Sequence, residues 1–188
     1  MLRIHPDHLH DLASYLAHIG DHTPPRIDLP LPVRLRWASV ELSLAQIRSL
    51  QPGDILLADV SCRQAGLAVA VIGDWIVVPV EILRNGYRLS GEPRRAAGGG
   101  FEWSLDGQGR PTGLTGDSRL ADVPMRVLFE FGGFDLDRSA TAQLRPGSVL
   151  PLARPLEEGL DIVVGGSRVG RGEIVTIGDA VGLRVTRI

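Results

Sequence analysis

Short apolar blocks bounded by Gly, Pro and Asp dominate this chain from Val33 onward. Blocks of this kind, rich in Val and Ile, predict strands. Val33, Leu35 and Trp37 alternate with Arg34, Arg36 and Ala38, the pattern of a half-buried strand. Ile55–Val60, Leu67–Ile72, Trp75–Leu83 and Tyr87–Leu89 follow, with Gly73-Asp74 as a hairpin turn. Pro79 lies inside one of these runs and predicts an edge strand or a bulge there. Pro124–Phe131, Leu160–Val164, Val169–Ile177 and Leu183–Ile188 complete the set, turned by Gly165-Gly166-Ser167 and Gly178-Asp179. The stretch Gly172–Ile177 hardly alternates, so it is expected to need cover on both faces. Three strands between Leu160 and Ile188 cannot supply that cover alone.

Helical spacing is confined to a few places. Leu9, Leu12, Ala13, Leu16 and Ile19 predict a helix over residues 7–19, capped by Asp7 and ended by Gly20. Pro24, Pro25, Pro30 and Pro32 make residues 20–32 an extended linker. Ser43 can cap a short helix whose Leu44, Ile47 and Leu50 share a face. Gln51-Pro52-Gly53-Asp54 is a turn, with Pro presetting φ and Gly taking the positive φ after it. Residues 91–122 are Gly-rich and poor in aliphatics, which predicts a mobile connector with Phe101 and Trp103 pinned locally.

The strand pattern occurs twice. Leu31-Pro32-Val33-Arg34-Leu35 is similar to Val123-Pro124-Met125-Arg126-Val127. Ser49-Leu50-Gln51-Pro52-Gly53-Asp54-Ile55-Leu56 is similar to Gln143-Leu144-Arg145-Pro146-Gly147-Ser148-Val149-Leu150. Leu67–Val71 is similar to Leu160–Val164, and Asp137 offers a cap for a second short helix ending near Leu144. The offsets of 92, 94 and 93 residues are nearly constant, the signature of an internal repeat. Each unit alone is small enough to bury only about 60% of its unfolded surface. Two units can cover each other's faces and edges, so one compact body is expected rather than two beads. The chain divides into residues 1–30 (helix and linker), 31–90 (first unit), 91–122 (connector) and 123–188 (second unit).

Composition narrows the chemistry. Net charge is −2 over 188 residues, so no general attraction for nucleic acid or acidic membrane is expected. All 20 basic residues are Arg, read as genomic codon bias rather than chemistry. One cysteine, Cys62, excludes an internal disulfide and suits a reducing compartment. No secretory leader and no bilayer-length apolar run are visible, so a cytoplasmic location is expected.

Candidate motifs mostly resolve to structure. His5, His8, His10, His18 and His22 crowd the first 22 residues, but His8 and His10 fall on different sides of the helix and no ligand motif joins them. Gly165-Gly166, Gly170 and Gly172 lack the Lys-Ser/Thr of a phosphate loop and read as hairpin glycines. Glu157, Glu158 and Asp161 read as a solvated loop, Cys62 as a buried or edge-strand thiol, and Arg94-Arg95 as a solvated charge run. No catalytic residue, cofactor or metal is expected.

The repeat unit resembles the SpoA (surface presentation of antigens) domain. The resemblance is best in the second unit, over Val123–Val127, Leu144–Leu150, Gly172-Glu173-Ile174-Val175 and Gly182–Ile188. The first unit keeps Leu50-Gln51-Pro52-Gly53-Asp54 but has Pro79-Val80 where the second has its Gly-Glu pair. Two tandem units resemble the Q component of type III secretion systems more than the single-unit flagellar switch protein. The resemblance implies a mainly β fold: two intertwined units forming a pseudo-symmetric, β-barrel-like dimer within one chain, with short helices. It implies a scaffold of the cytoplasmic ring, or sorting platform, at the face of the secretion apparatus. Its implied partners are the N-terminal segment of the stator protein of the secretion ATPase, other platform proteins and further SpoA units. Ile174, Val175 and Thr176 take the place of the family's apolar partner-binding run. The family usually has a further N-terminal domain, so a fragment, an internally started product or a split gene is expected. The second unit alone is expected to self-associate. A flagellar motor-switch protein is the first alternative, and a small β-barrel enzyme or ligand carrier the second.

Overall fold

The computed structural model describes residues 29–58, 67–96 and 120–188. The helix expected at 7–19, all five histidines, Cys62, Phe101 and Trp103 lie outside those residues. Among the described residues the strands are β1 (Leu31–Ser43), β2 (Ile55–Leu57), β3 (Leu67–Ile72), β4 (Ile76–Leu83), β5 (Gly86–Leu89) and β6 (Arg94–Arg95). The second half contributes β7 (Pro124–Leu136), β8 (Val149–Pro151), β9 (Leu160–Val164), β10 (Ser167–Ile177) and β11 (Ala180–Arg187). Two short helices follow the long strands, α1 (Leu44–Ser49) and α2 (Arg138–Ala142). Ser43 caps α1 with a full capping box to Gln46. Asp137 occupies the N-cap position of α2 but makes no side-chain cap bond.

All pairings are antiparallel, in the order β2-β11-β10-β9-β7-β1-β3-β4-β5-β8, with β6 added to β4. Outward from the β7–β1 junction, the strands of the two halves follow one another in matching order. The two ends break the separation of halves. β2 pairs with β11 of the second half, and β8 pairs with β5 of the first. This exchange intertwines the units, as expected of a pseudo-symmetric dimer in one chain. The sheet is open, however. No ladder joins β2 to β8 among the described residues, because each three-residue end strand finds a partner on one side only.

The repeated Pro-Gly turn delivers each exchanged strand. In Gln51–Asp54, the Asp54 N–H donates to Gln51 O (3.1 Å), and the Gln51 N–H donates to Asp54 Oδ2 (2.8 Å). Arg145–Ser148 repeats this with 2.9 and 3.1 Å bonds. Gly53 and Gly147 adopt φ of 100° and 89°, which favour glycine. The Gly53 N–H then donates to Val185 O, and the Val185 N–H to Asp54 O, both at 2.8 Å. Gly147, Leu89 and Ser148 make the same exchange in the other half, at 2.8 and 2.9 Å. Beyond the turns, Leu56 and Leu150 point into the core while Ile55, Leu57 and Val149 point out.

One main core draws on both halves, with Leu35, Trp37, Tyr87, Phe129, Leu150, Ile162 and Leu183 all buried. Trp37 and Phe129 meet with ring centroids 6.3 Å apart. β1 and β7 run well past the stretches predicted for them. The two strands pair along their whole length, from Leu31↔Leu136 to Ser43↔Pro124, so mutual pairing sustains ends that local alternation does not announce. Pro79 lies in an interior strand with no register break toward β3, contrary to the edge or bulge expected. Its carbonyl accepts from the Ser90 N–H (2.9 Å) on the β5 side. The missing N–H would point to the same side, into the gap between the β5 and β6 ladders, so no ladder bond is lost.

Tyr87 is fully buried, and its hydroxyl has no hydrogen-bond partner among the described residues. Burial pushes its pKa up to about 12, with the Arg154 charge opposing. The folded state therefore holds this proton more tightly than the unfolded chain. Its contribution to stability is complete below the ordinary value of 10.0 and falls as pH rises through the window toward about 12. Tyr87→Phe is expected to leave neutral-pH stability unchanged or raise it by about 1 kcal/mol, and to flatten the alkaline loss. Urea titrations at pH 7 and above pH 10 check both.

Candidate functional site

The candidate residues Ile174, Val175 and Thr176 lie on β10 near the tip of the β10–β11 hairpin. Directly paired residues share a face of a sheet. Ile174, Leu183 and Leu56 form one row on the core side. Glu173, Arg184 and Ile55 form a row on the opposite face, and Val175, Gly182 and Leu57 form the next one there. The three candidates therefore do not share one face: Val175 points outward, while Ile174 and Thr176 point to the core side.

The cover expected for this strand is absent among the described residues. The hairpin extends past the core, leaving Ile174 42% and Ile177 47% exposed, and the neighbouring Ile55 and Leu57 43% and 56%. Val175 is half-buried between them. The backbone is open as well. β9 pairs with β10 only from Ser167 to Gly172, so Glu173–Ile177 have a ladder on the β11 side alone. The opposite end of the sheet is smaller. There the β4–β5 hairpin turns straight after Leu83, and Val149 is the exposed large apolar residue on β8.

Glycine sets the closeness of the exchanged strands. A Cβ on Gly182 would lie 2.7 Å from Leu56 O, and one on Gly86 would lie 2.5 Å from Leu150 O. The two glycines hold matching places, opposite Leu57 and Pro151. Next to each is a matched ion pair, Arg184 with Glu173 and Arg88 with Glu81. This corrects the reading of the first unit. Val80-Glu81, not Pro79-Val80, stands where Gly172-Glu173 stands in the second, so the acid is kept and only the glycine is replaced. The mismatch comes from a one-residue slip in aligning the repeats. Val69 pairs with Arg36 and Asp161 pairs with Glu130, which makes Ala68, not Leu67, the counterpart of Leu160.

A second polar feature crosses the middle of the outer face. Arg36 Nε lies 2.9 Å from Glu130 Oε1, with the side chains 14% and 8% exposed. Arg154 Nη1 donates to both oxygens of Asp161 (3.0 and 2.9 Å), and its Nη2 donates to Gly159 O (3.1 Å). Arg171 Nε adds a contact to Asp161 Oδ1 at 3.3 Å. Asp161 is thus a largely buried member of an ion network, not part of the solvated loop expected, whereas Glu157 and Glu158 are exposed. A cleft of about 520 Å³ opens over this network, lined by Arg34, Arg36, Glu130, Asp161 and Arg168 among others. In the first half the corresponding surface is apolar: Val69, Val71 and Val77 form a small cluster covered by Ala96. Arg94 and Arg95 are exposed as expected, but they form β6 against Ile76 and Val77.

Sequence reasoning missed Arg36, Glu130 and the exchanged Ile55 and Leu57. Arg36 and Glu130 carried a signal, as charges at the centres of two long matched strands. No group of three or more His, Cys, Asp or Glu among the described residues is placed to hold a metal ion. No helix among them is long and apolar enough to cross a membrane.

Comparison with known proteins agrees with this architecture. The family described as type III flagellar switch regulator (C-ring) FliN C-term matches residues 118–188. Yop proteins translocation protein Q of Yersinia pseudotuberculosis is 30% identical over 163 residues, covering 87% of this chain and 49% of that protein. The probable translocation protein Y4yK of Sinorhizobium fredii is 29% identical over 163 residues, covering 84% and 44%. The flagellar motor switch protein FliN of Pectobacterium carotovorum is 32% identical over 85 residues, covering 45% of this chain and 80% of that protein. The chain spans about half the length of the two translocation proteins it matches.

Proposed function

This chain belongs to the FliN C-terminal, SpoA-type family, and from that membership we propose that it is a non-catalytic scaffold of a type III secretion apparatus. The observation that carries this reading is the span of the similarity. The translocation proteins match over 163 residues, whereas the flagellar switch protein matches over 85. A tandem of two intertwined units accounts for the longer match. The flagellar reading rests on the shorter match, and gene neighbourhood separates the two: needle-complex genes are expected beside this gene, and motor genes would favour the switch.

In this reading the chain works at the cytoplasmic face of the apparatus, within the ring, bound to other platform proteins and to further SpoA units. The N-terminal segment of the stator protein docks on the β2–β11–β10 edge. Three features support this placement: the outward Val175 and Leu57 flanking Gly182, the exposed Ile55 and Ile177 beside them, and the open backbone of Glu173–Ile177. An extended peptide can add to such an edge by main-chain bonds and set its apolar side chains on the outer row. Neither cofactor nor nucleic acid has a part in it.

Val175→Asp is expected to weaken stator binding by at least roughly 30-fold, as for a central apolar anchor. It points away from the core, so the fold should persist. Ile174→Asp should weaken binding as well, but its place beside buried Leu183 endangers the fold, which makes it the poorer test. Pull-down and calorimetry with the stator segment check this. Undiminished binding by a folded Val175→Asp chain would move the site elsewhere.

A further inference from the structure

We propose that the Arg36–Glu130 pair decides which units combine, favouring a first unit against a second and opposing two identical units. The pair sits at a special place. Exchanging the halves maps Leu31↔Leu136 onto Leu42↔Met125, and Val33↔Phe134 onto Val40↔Val127. Arg36↔Glu130 maps onto itself, and a register irregularity flanks it on each side. It therefore marks the point where the pseudo-twofold axis crosses the β1–β7 ladder.

A like pair built on this ladder would bring the residue at that point against its own copy. Two second units would oppose Glu130 to Glu130, and two first units would oppose Arg36 to Arg36. Both side chains are largely shielded from water, so like charges there would be weakly screened. Arg154 of the second unit, which reaches Glu130 at its backbone carbonyl, is held by other partners. Its Nη1 holds Asp161, and its Nη2 donates to the Gly159 and Glu130 carbonyls. Arg34, which lines the same cleft, belongs to the first unit and would be missing from a pair of second units. Charge at the axis thus counteracts the self-association that the similarity of the two surfaces suggests.

The test uses full-length chains. Arg36→Glu and Glu130→Arg each place like charges at the axis. Each is expected to lower the folded-to-unfolded ratio roughly 100-fold or more in urea titrations. The double reversal restores an unlike pair and should recover that ratio to within about tenfold of wild type. The two single variants are also unfolded in urea, mixed in equal amounts and refolded together. Crosswise pairing then joins the two reversed positions in one body and the two native ones in the other, so each body holds an unlike pair. Native mass spectrometry should find a one-to-one complex of the two variants, above the level of dimer formed by wild-type chains treated alike. Single reversals of wild-type stability, a double reversal no better than the singles, or co-refolding without enrichment of the mixed complex would each overturn the proposal.

Discussion

Leu150→Asp is expected to unfold the first half of the chain along with the second. Leu150 comes from the second half, yet it is 2% exposed beneath the first, paired with Tyr87 on β5. The change removes a buried leucine, worth about 2–5 kcal/mol, and leaves a carboxylate unpaired in the same place. Domains of this kind hold only about 5–15 kcal/mol in total. The circular dichroism of the variant should show most native strand signal lost, and the urea midpoint should fall accordingly. Val149→Asp is the control. Val149 is the neighbouring residue but points to solvent, 56% exposed, and a surface change there should stay within about 0.5 kcal/mol. A Leu150→Asp chain that keeps β3–β5 folded while losing β9–β11 would show that the halves are independent.

Phe129→Ala should be the costliest conservative truncation. Phe129 lies on β7 with no exposure, against Trp37 of β1 and between the two halves of the core. Large aromatic truncations of this type cost about 3–5 kcal/mol. Differential scanning calorimetry should record one transition at lower temperature, with tryptophan emission shifting toward that of an exposed indole at the same temperature. A loss under about 1 kcal/mol would mean the β1–β7 junction carries little of the core.

Local chemistry announced most of the elements. The Val- and Ile-rich blocks at Leu67–Ile72 and Leu160–Val164 are strands with the bounds expected, and the Ser43 cap and both Pro-Gly turns stand where their residues require. Pairing partners were harder to read, because propensity describes a strand and not its neighbour. The exchange of β2 and β8 is a long-range choice made by Leu56, Leu150 and the two glycines that admit them. The ends of β1 and β7 exist because they pair with each other. The alignment slip at Leu67 arose because a run of apolar residues carries no register, and one residue of slip disguised Glu81 as missing.

The candidate edge was half legible. Family resemblance places residues 174–176, and the sequence shows the apolar run Ile174–Ile177 but predicts cover for it. Its exposure follows from hairpin length: β10 and β11 outrun β9, and sequence blocks do not reveal where a neighbouring strand stops. The ion network was hidden for a different reason. Asp161 and Glu130 alternate with core residues like any solvent-facing charge, and it is the β7–β9 ladder with Arg36, Arg154 and Arg171 that encloses them.

Native-state hydrogen exchange across a urea series tests the intertwined body most directly. The slowest amides of β3–β5 and those of β9–β11 are expected to converge on one opening free energy and one urea dependence, equal to global unfolding. Two separate isotherms, with one set of strands exchanging while the other stays protected, would contradict it.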